Sequence, residues 1–192
     1  MTTPAPDEAL YPLFLKVRGR AVLVVGAGPA AERKVASLLE SGALVRLVAP
    51  EATPELRRLA GEGRLEWRAR PFEPADADGA WLIVAATGDV AVQASVAQTG
   101  EARATFVLAI DDPRHASAYG GAIVRRPPFV VAISSSGATP ALSRLVREII
   151  EAALPGDDWI ARARELRARW KAEGTPMAER FAALVRDFKP RE

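Results

Sequence analysis

Five consecutive apolar residues, Ala21-Val22-Leu23-Val24-Val25, run directly into Gly26-Ala27-Gly28, and an amphipathic helical pattern begins at once. An uninterrupted apolar run of this length fits a parallel strand covered on both faces. Gly26 permits the tight turn out of that strand, and Gly28 lets a pyrophosphate approach the backbone. Ala31 stands where a third small residue lets the helix lie close to the strand. The first N–H groups of the helix and the positive end of its dipole face the same point. The strand before and the helix after make this a candidate dinucleotide site, with a ligand-free strand–helix turn as the alternative.

The rest of the chain repeats the alternation. A helix is predicted over 30–41, closed by Gly42, and a strand over 44–49, closed by Pro50. Thr53 and Pro54 have the types of an N-cap and a first helical residue, and Gly61 ends that short helix. Residues 65–70 alternate with period two, as an edge strand does, and 76–79 read as a loop. A strand over 80–86, a helix over 89–99 and a strand over 105–110 complete a doubly wound parallel sheet. Residues 121–134 form two apolar strands about Pro127-Pro128 with no helix between them, which leaves the βαβ rhythm. Thr139-Pro140 opens a helix to about 153, and two further helices within 157–190 break at Gly174-Thr175-Pro176. Residues 1–10 are expected to be loose, and 11–17 to form a short strand or an apolar clamp.

At 192 residues the chain suits one domain with a smaller appendage. A net charge of +2 argues against nucleic acid as the main partner. The absence of cysteine excludes disulfides, thiolate chemistry and Cys-ligated metal, and no resident metal site is expected. No membrane span or leader is expected, and the composition is compatible with the cytoplasm.

In an open parallel sheet, ligands gather at the carboxyl ends of the strands. Thr87 is therefore a candidate cofactor contact, and Asp111-Asp112-Pro113 delivers carboxylates to the same edge. An ordinary Asp-Pro turn is the alternative. Many dinucleotide enzymes hold the ribose with an acid at the end of the second strand, but none stands there, Glu51 lying one residue past Pro50. Arg46 could answer a 2′-phosphate, though a solvated or helix-facing arginine is the favoured reading. The Ser134-Ser135-Ser136-Gly137 loop before a helix start could hold an anion, or simply cap that helix.

Several landmarks carry a family resemblance: Tyr11-Pro12-Leu13-Phe14, the glycine turn with Ala31 and Arg33-Lys34, Ala85-Ala86-Thr87, and Asp111-Asp112-Pro113. The most specific is Val131-Ala132-Ile133-Ser134-Ser135-Ser136-Gly137-Ala138-Thr139-Pro140-Ala141-Leu142. In this order and spacing they resemble the precorrin-2 dehydrogenase/sirohydrochlorin ferrochelatase family, the first half of siroheme synthase, over residues 10–155. That family's second strand ends in Val-Ala-Pro, as Val48-Ala49-Pro50 does here, which accounts for the missing acid.

The resemblance implies a Rossmann-type α/β domain over 1–113 that uses NAD, a hairpin dimerisation region over 114–154 and a helical segment over 155–192. It implies removal of two hydrogens from precorrin-2 to give sirohydrochlorin and, in some members, insertion of ferrous iron as a second substrate. Gly26, Ala27, Gly28, Pro29, Ala30, Val48, Ala49, Pro50 and Thr87 fall on the cofactor side, and the essential aspartate falls on Asp111. The active-site serine falls on Ser135. Arg114, His115, Arg125, Arg126 and Arg144 are candidate counter-charges for a polycarboxylate tetrapyrrole. A homodimer is expected from the resemblance and from the apolar hairpin. Two stretches depart from the family pattern: Ala109 replaces its usual Asn, and 118–121 is less bulky. The alternatives are a non-catalytic dinucleotide- or tetrapyrrole-binding dimer and a reductase of an unrelated pathway.

Overall fold

The structure is a computed structural model that describes residues 10–135, 139–154 and 156–188. These divide into two compact units, 10–120 and 121–135 with 139–188.

The first unit is a five-stranded, wholly parallel sheet of order β3-β2-β1-β4-β5. Its elements are β1 (Ala21–Val25), α1 (Pro29–Glu40), β2 (Leu44–Val48), α2 (Pro54–Gly61), β3 (Glu66–Arg68), β4 (Leu82–Ala85), α3 (Val90–Ala102) and β5 (Phe106–Ala109). Both faces of the central strands are covered. Val22 and Val24 pack with Ala31, Val35, Leu47 and Leu56 on one side. Leu23 and Val25 pack with Ile83, Val96 and Val107 on the other. That two-sided burial is why β1 is continuously apolar. Arg46 interrupts β2 because its guanidinium serves the second face: Nη1 donates to the Asp76 carbonyl at 2.9 Å and Nε pairs with Glu66 at 3.5 Å. Arg46, expected to be solvated or helix-facing, is thus tied to the loop at Asp76 and to β3.

The helices begin in different ways. Thr53 caps α2 by accepting from the Leu56 N–H, and Asp89 caps α3 by accepting from Ala91 and Val92. The N-cap of α1 is Gly28, with no side-chain cap. The expected helix over 89–99 runs on to Ala102 through Gly100. A Cβ at Gly100 would lie 2.2 Å from Val107 Cγ2, so this glycine sets the close approach of α3 to β5 and does not end the helix. Residues 11–16 are exposed and carry no strand, so neither the expected strand nor a buried clamp forms there, and only Val17 is buried. Asp76, read as part of a loop, is fully buried. Its carboxylate accepts from Arg68 (2.8 Å), Arg70 (2.6 Å) and the Glu73 N–H (3.0 Å).

The second unit holds the antiparallel hairpin β6 (Ala122–Arg126) and β7 (Phe129–Ile133), turning at Pro127-Pro128 as predicted. It also holds α4 (Pro140–Ala153), α5 (Asp157–Ala172) and α6 (Met177–Phe188). Helix α4 packs on the hairpin and α5 on α6. The first compact unit runs to Gly120, and within it the Ser117 and Ala118 N–H groups donate to the Val107 carbonyl and hold that stretch along β5. Among the described residues no helix is long and apolar enough to cross a membrane.

Candidate active site

The chain order reverses between β1 and β4, so the crevice beyond their carboxyl ends is the topological switch point where such sheets bind ligands. Gly26 lies at its floor. Its N–H donates to the Val48 carbonyl (2.9 Å), while the neighbouring Ala86 N–H donates to Val25 (2.7 Å). Its φ is +96°, and a Cβ there would stand 2.4 Å from the Ala86 carbonyl oxygen, so only glycine fits. Gly28 differs. Its φ is −84°, and a Cβ would meet nothing within 4 Å. No protein contact requires glycine there, and the open space lies at the one helix start of this unit that lacks a side-chain cap. An open cradle in front of uncapped N–H groups fits a dinucleotide pyrophosphate. Pro29 removes one donor at the first helical position, leaving those of Ala30 and Ala31.

The end of β2 carries no acid, and the Glu32 carboxylate of α1 accepts from the Thr53 hydroxyl (2.7 Å). The Ala49 carbonyl accepts from Trp67 Nε1 at 3.0 Å, and Val48 and Ala49 are buried beside exposed Pro50. Thr87 is half-buried. Its hydroxyl accepts from the Asp89 N–H (3.1 Å) and its carbonyl from Gln93 Nε2 (2.9 Å). Gln93 also reaches the Ile110 carbonyl at 3.5 Å, bracing the ends of β4 and β5 together, while its Oε1 is buried with no partner among the described residues.

The two aspartates after β5 separate sharply. Asp112 bonds His115 Nδ1 (2.7 Å) and Arg114 (3.3 Å). The His115 hydrogen bond chiefly holds its carboxyl below the usual range, against burial and with help from Arg114. Asp111 is exposed, with φ at +58°, a conformation uncommon outside glycine. Arg114 and His115 line a cavity of about 640 Å³ with Gln98, Glu101, Phe106 and Ser117, between α3 and β5. Asp111, Thr87 and the glycine turn are not part of that lining. Two of the expected counter-charges therefore line a cavity that does not include the glycine turn.

In the second unit, Ser135 Oγ accepts from the Thr139 N–H (3.3 Å) and from Ser143 Oγ (2.9 Å). Thr139 is the N-cap of α4 as expected, but its side chain caps nothing. Ser135 holds the N–H of Thr139 itself and leaves the first-turn N–H groups of α4 without a side-chain cap. Ser136-Gly137-Ala138 of the predicted anion loop lie outside the described residues. Arg126 donates to the Leu154 carbonyl (3.0 Å), Arg144 pairs with Glu148 (3.1 Å), and Arg125 is exposed on β6.

Sequence reasoning passed over Gln93 as a site residue. It stands on the buried face of its helix, three residues from Val96. A polar residue at core spacing was the available signal.

A doubly wound sheet with a glycine-floored switch point and an open, uncapped helix start defines a dinucleotide-binding domain. Residues 13–122 match the family described as "Putative NAD(P)-binding", and the chain belongs to that NAD(P)-binding family. It is 44% identical over 171 residues to siroheme synthase 3 of Aeromonas hydrophila, covering 88% of this chain and 36% of that protein. It is 47% identical over 144 residues to siroheme synthase 1 of Cronobacter sakazakii, covering 75% and 31%. The chain thus spans about a third of the length of these relatives. Among solved structures, "SirC, precorrin-2 dehydrogenase" shares the fold at a TM-score of 0.77 and 23% identity, covering 94% of this chain and 90% of that one.

Proposed function

We propose that this chain oxidises precorrin-2 to sirohydrochlorin with NAD. The observation that carries the reading is Asp111, an exposed carboxylate in a left-handed backbone position at the carboxyl end of β5, the strand next to β4 on the same edge of the sheet as the switch point. The names of the siroheme synthase relatives and of the structural neighbour supply the substrate class.

A dinucleotide held at the Gly26–Ala30 turn would supply the hydride acceptor, taking up two electrons and one hydrogen from a substrate carbon. The second hydrogen leaves as a proton. Asp111 has the geometry to receive it, since Asp112 and not Asp111 is engaged by His115 and Arg114. The Gly26–Ala30 turn holds the pyrophosphate, and the Gln93 brace keeps the Thr87 and Ile110 strand ends at fixed separation. Ser135 accepts two hydrogen bonds among the described residues, which leaves its own O–H to donate to a substrate carboxylate. Where ferrous iron is a second substrate, Asp111 would take the two displaced pyrrole protons one at a time, releasing each to the solvent to which it is exposed. The reaction belongs in the cytoplasm.

The functional unit is a homodimer. Leu142, Leu145 and Ile149 form an exposed stripe along α4, and Ile123, Phe129 and Val130 are exposed on the hairpin of the same unit. A monomer in light scattering at micromolar concentration contradicts this.

The decisive assay is anaerobic, with precorrin-2 and NAD, then ferrous ion. NADH formation with a sirohydrochlorin spectrum, lost in Asp111→Ala, supports the reading. Dinucleotide binding without turnover by the native protein moves the assignment to a non-catalytic binding dimer.

A further inference from the structure

We propose that Asp76 is the specificity-determining residue that keeps the dinucleotide site to NAD: it takes up the guanidinium groups of Arg68 and Arg70, which would otherwise hold the 2′-phosphate of NADP. The proposal rests on the dinucleotide-binding reading above and names the group that decides between the two cofactors.

The end of β2 poses the problem. An acid there commonly accepts the ribose hydroxyls of NAD, whereas an arginine nearby accommodates the extra phosphate of NADP. This chain has Val48-Ala49-Pro50 in that place, with Arg46, Arg68 and Arg70 close by. Arg68 is paired with Val48 in the parallel register of β2 and β3, and the Ala49 N–H donates to the Arg68 carbonyl at 3.3 Å. Neighbouring strands lie about 4.8 Å apart, so Arg68 starts one strand from the ribose position. The Arg70 N–H donates to the same carbonyl at 2.9 Å. Arg46 lies two residues before Val48, on the same face of β2. Glu32, the acid of α1, is turned to the Thr53 hydroxyl. By residue type alone this corner suits NADP.

Asp76 reverses that. It sits in the single turn Pro74–Ala77 after β3 and is wholly buried. Its Oδ1 accepts from Arg68 Nη1 (2.8 Å) and Arg70 Nη2 (2.6 Å), and its Oδ2 from Arg70 Nη1 (2.9 Å) and the Glu73 N–H (3.0 Å). These donors fill the acceptor capacity of a carboxylate. Glu66 takes Arg68 Nε at 2.8 Å and Arg46 Nε at 3.5 Å, and the Asp76 carbonyl takes Arg46 Nη1 at 2.9 Å. Glu73 stands 3.7 Å from Arg70 Nη1. The three guanidinium charges are thus matched by Asp76, Glu66 and Glu73. A 2′-phosphate would have to win the same N–H groups from a buried carboxylate, and stripping a buried charge of its partners is costly. The side chains of Arg68 and Arg70 remain 33% and 36% exposed, so a ligand can reach them once that carboxylate lets go.

Calorimetric titration with NAD and with NADP tests the assignment. The native protein should bind NAD at least tenfold more tightly than NADP. Asp76→Asn keeps the volume and removes the charge. It should raise NADP affinity about tenfold, the worth of one charge-assisted hydrogen bond, at nearly constant NAD affinity. The gain should shrink at high salt. Adding Arg68→Gln to Asp76→Asn should abolish it, which a general loosening of the site would not do. Glu66→Gln, at an exposed position, frees Arg68 Nε alone and should raise NADP affinity about two- to fivefold, which decides the matter if Asp76→Asn does not fold. Equal native affinity for the two dinucleotides overturns the proposal and leaves the dinucleotide-binding reading intact. So does an unchanged NADP affinity in folded Asp76→Asn or in Glu66→Gln, or a gain that comes from Glu51→Gln instead. Binding of neither dinucleotide by the native protein overturns both.

Discussion

Gly26 and Gly28 stand two residues apart and should respond to alanine in opposite ways. At Gly26 the φ of +96° costs a non-glycine residue about 1–3 kcal/mol. The new Cβ would also stand 2.4 Å from a main-chain oxygen, which cannot rotate away. Relief requires the ends of β1 and β4 to part, weakening the Gly26–Val48 and Ala86–Val25 hydrogen bonds at about 1 kcal/mol each. The sum is about 3 kcal/mol or more, a fall of roughly 6–12 °C in the thermal midpoint for a chain of this size. At Gly28 the backbone is ordinary and the space is empty. Reduced unfolded-state entropy favours alanine by about 0.4–1 kcal/mol, and the poorer N-cap opposes it by a similar amount. The free protein should therefore melt within about 1 kcal/mol of native. Dinucleotide affinity should nevertheless fall at least tenfold, about 1.4 kcal/mol, because the methyl takes the space of a phosphate oxygen. Calorimetric titration with NAD and thermal melts of both variants decide the matter. Native affinity in Gly28→Ala, or equal destabilisation by the two variants, would refute the argument.

Asp76→Ala should cost about 1–2 kcal/mol at neutral pH, since Arg68 and Arg70 keep partial access to water. Burial alone would raise the Asp76 pKa, but hydrogen bonds from Arg70, the Glu73 N–H and Arg68 outweigh it and leave it lowered. Its stabilisation is thus present above the unfolded carboxylate value and fades as pH falls through the lower folded value. Urea midpoints of native and variant should converge in strong acid, and a constant gap contradicts this. Gly100→Ala should destabilise by about 1–3 kcal/mol despite alanine's better helix propensity, because the methyl meets Val107 at 2.2 Å; a stabilised variant would show that α3 can move off the sheet. Gln93→Met removes both a brace and an orphaned acceptor, so denaturant unfolding should stay within about 1 kcal/mol of native. Amide exchange at 87–89 and 111–112 should quicken in that variant, and unchanged exchange there contradicts the bracing role.

The sheet was legible because its central strands are buried on both sides. The apolar run 21–25 has no polar interruption, and each strand end carries a glycine, proline or aspartate. The cofactor turn was legible because its constraint is local: Gly26 must take a positive φ. What stayed hidden depends on how short turns close. Asp111 and Asp112 are alike in type, and the single turn at 113–115 carries His115 back onto the second of them. Asp76 reads as a loop residue until Arg68 and Arg70 close on it from the neighbouring strand end. Tyr11 to Leu15 look like a strand by apolar content, yet they join no sheet among the described residues.

The bare start of α1 has one more consequence. Helices α2 and α3 carry their own side-chain caps, whereas α1 leaves that role to a molecule the cell must supply. A ligand present at a hundred times its dissociation constant adds about 2.7 kcal/mol to the folded state, and none when depleted. Because proteases remove the unfolded fraction, the cell's dinucleotide supply helps set the abundance of this chain as well as its turnover.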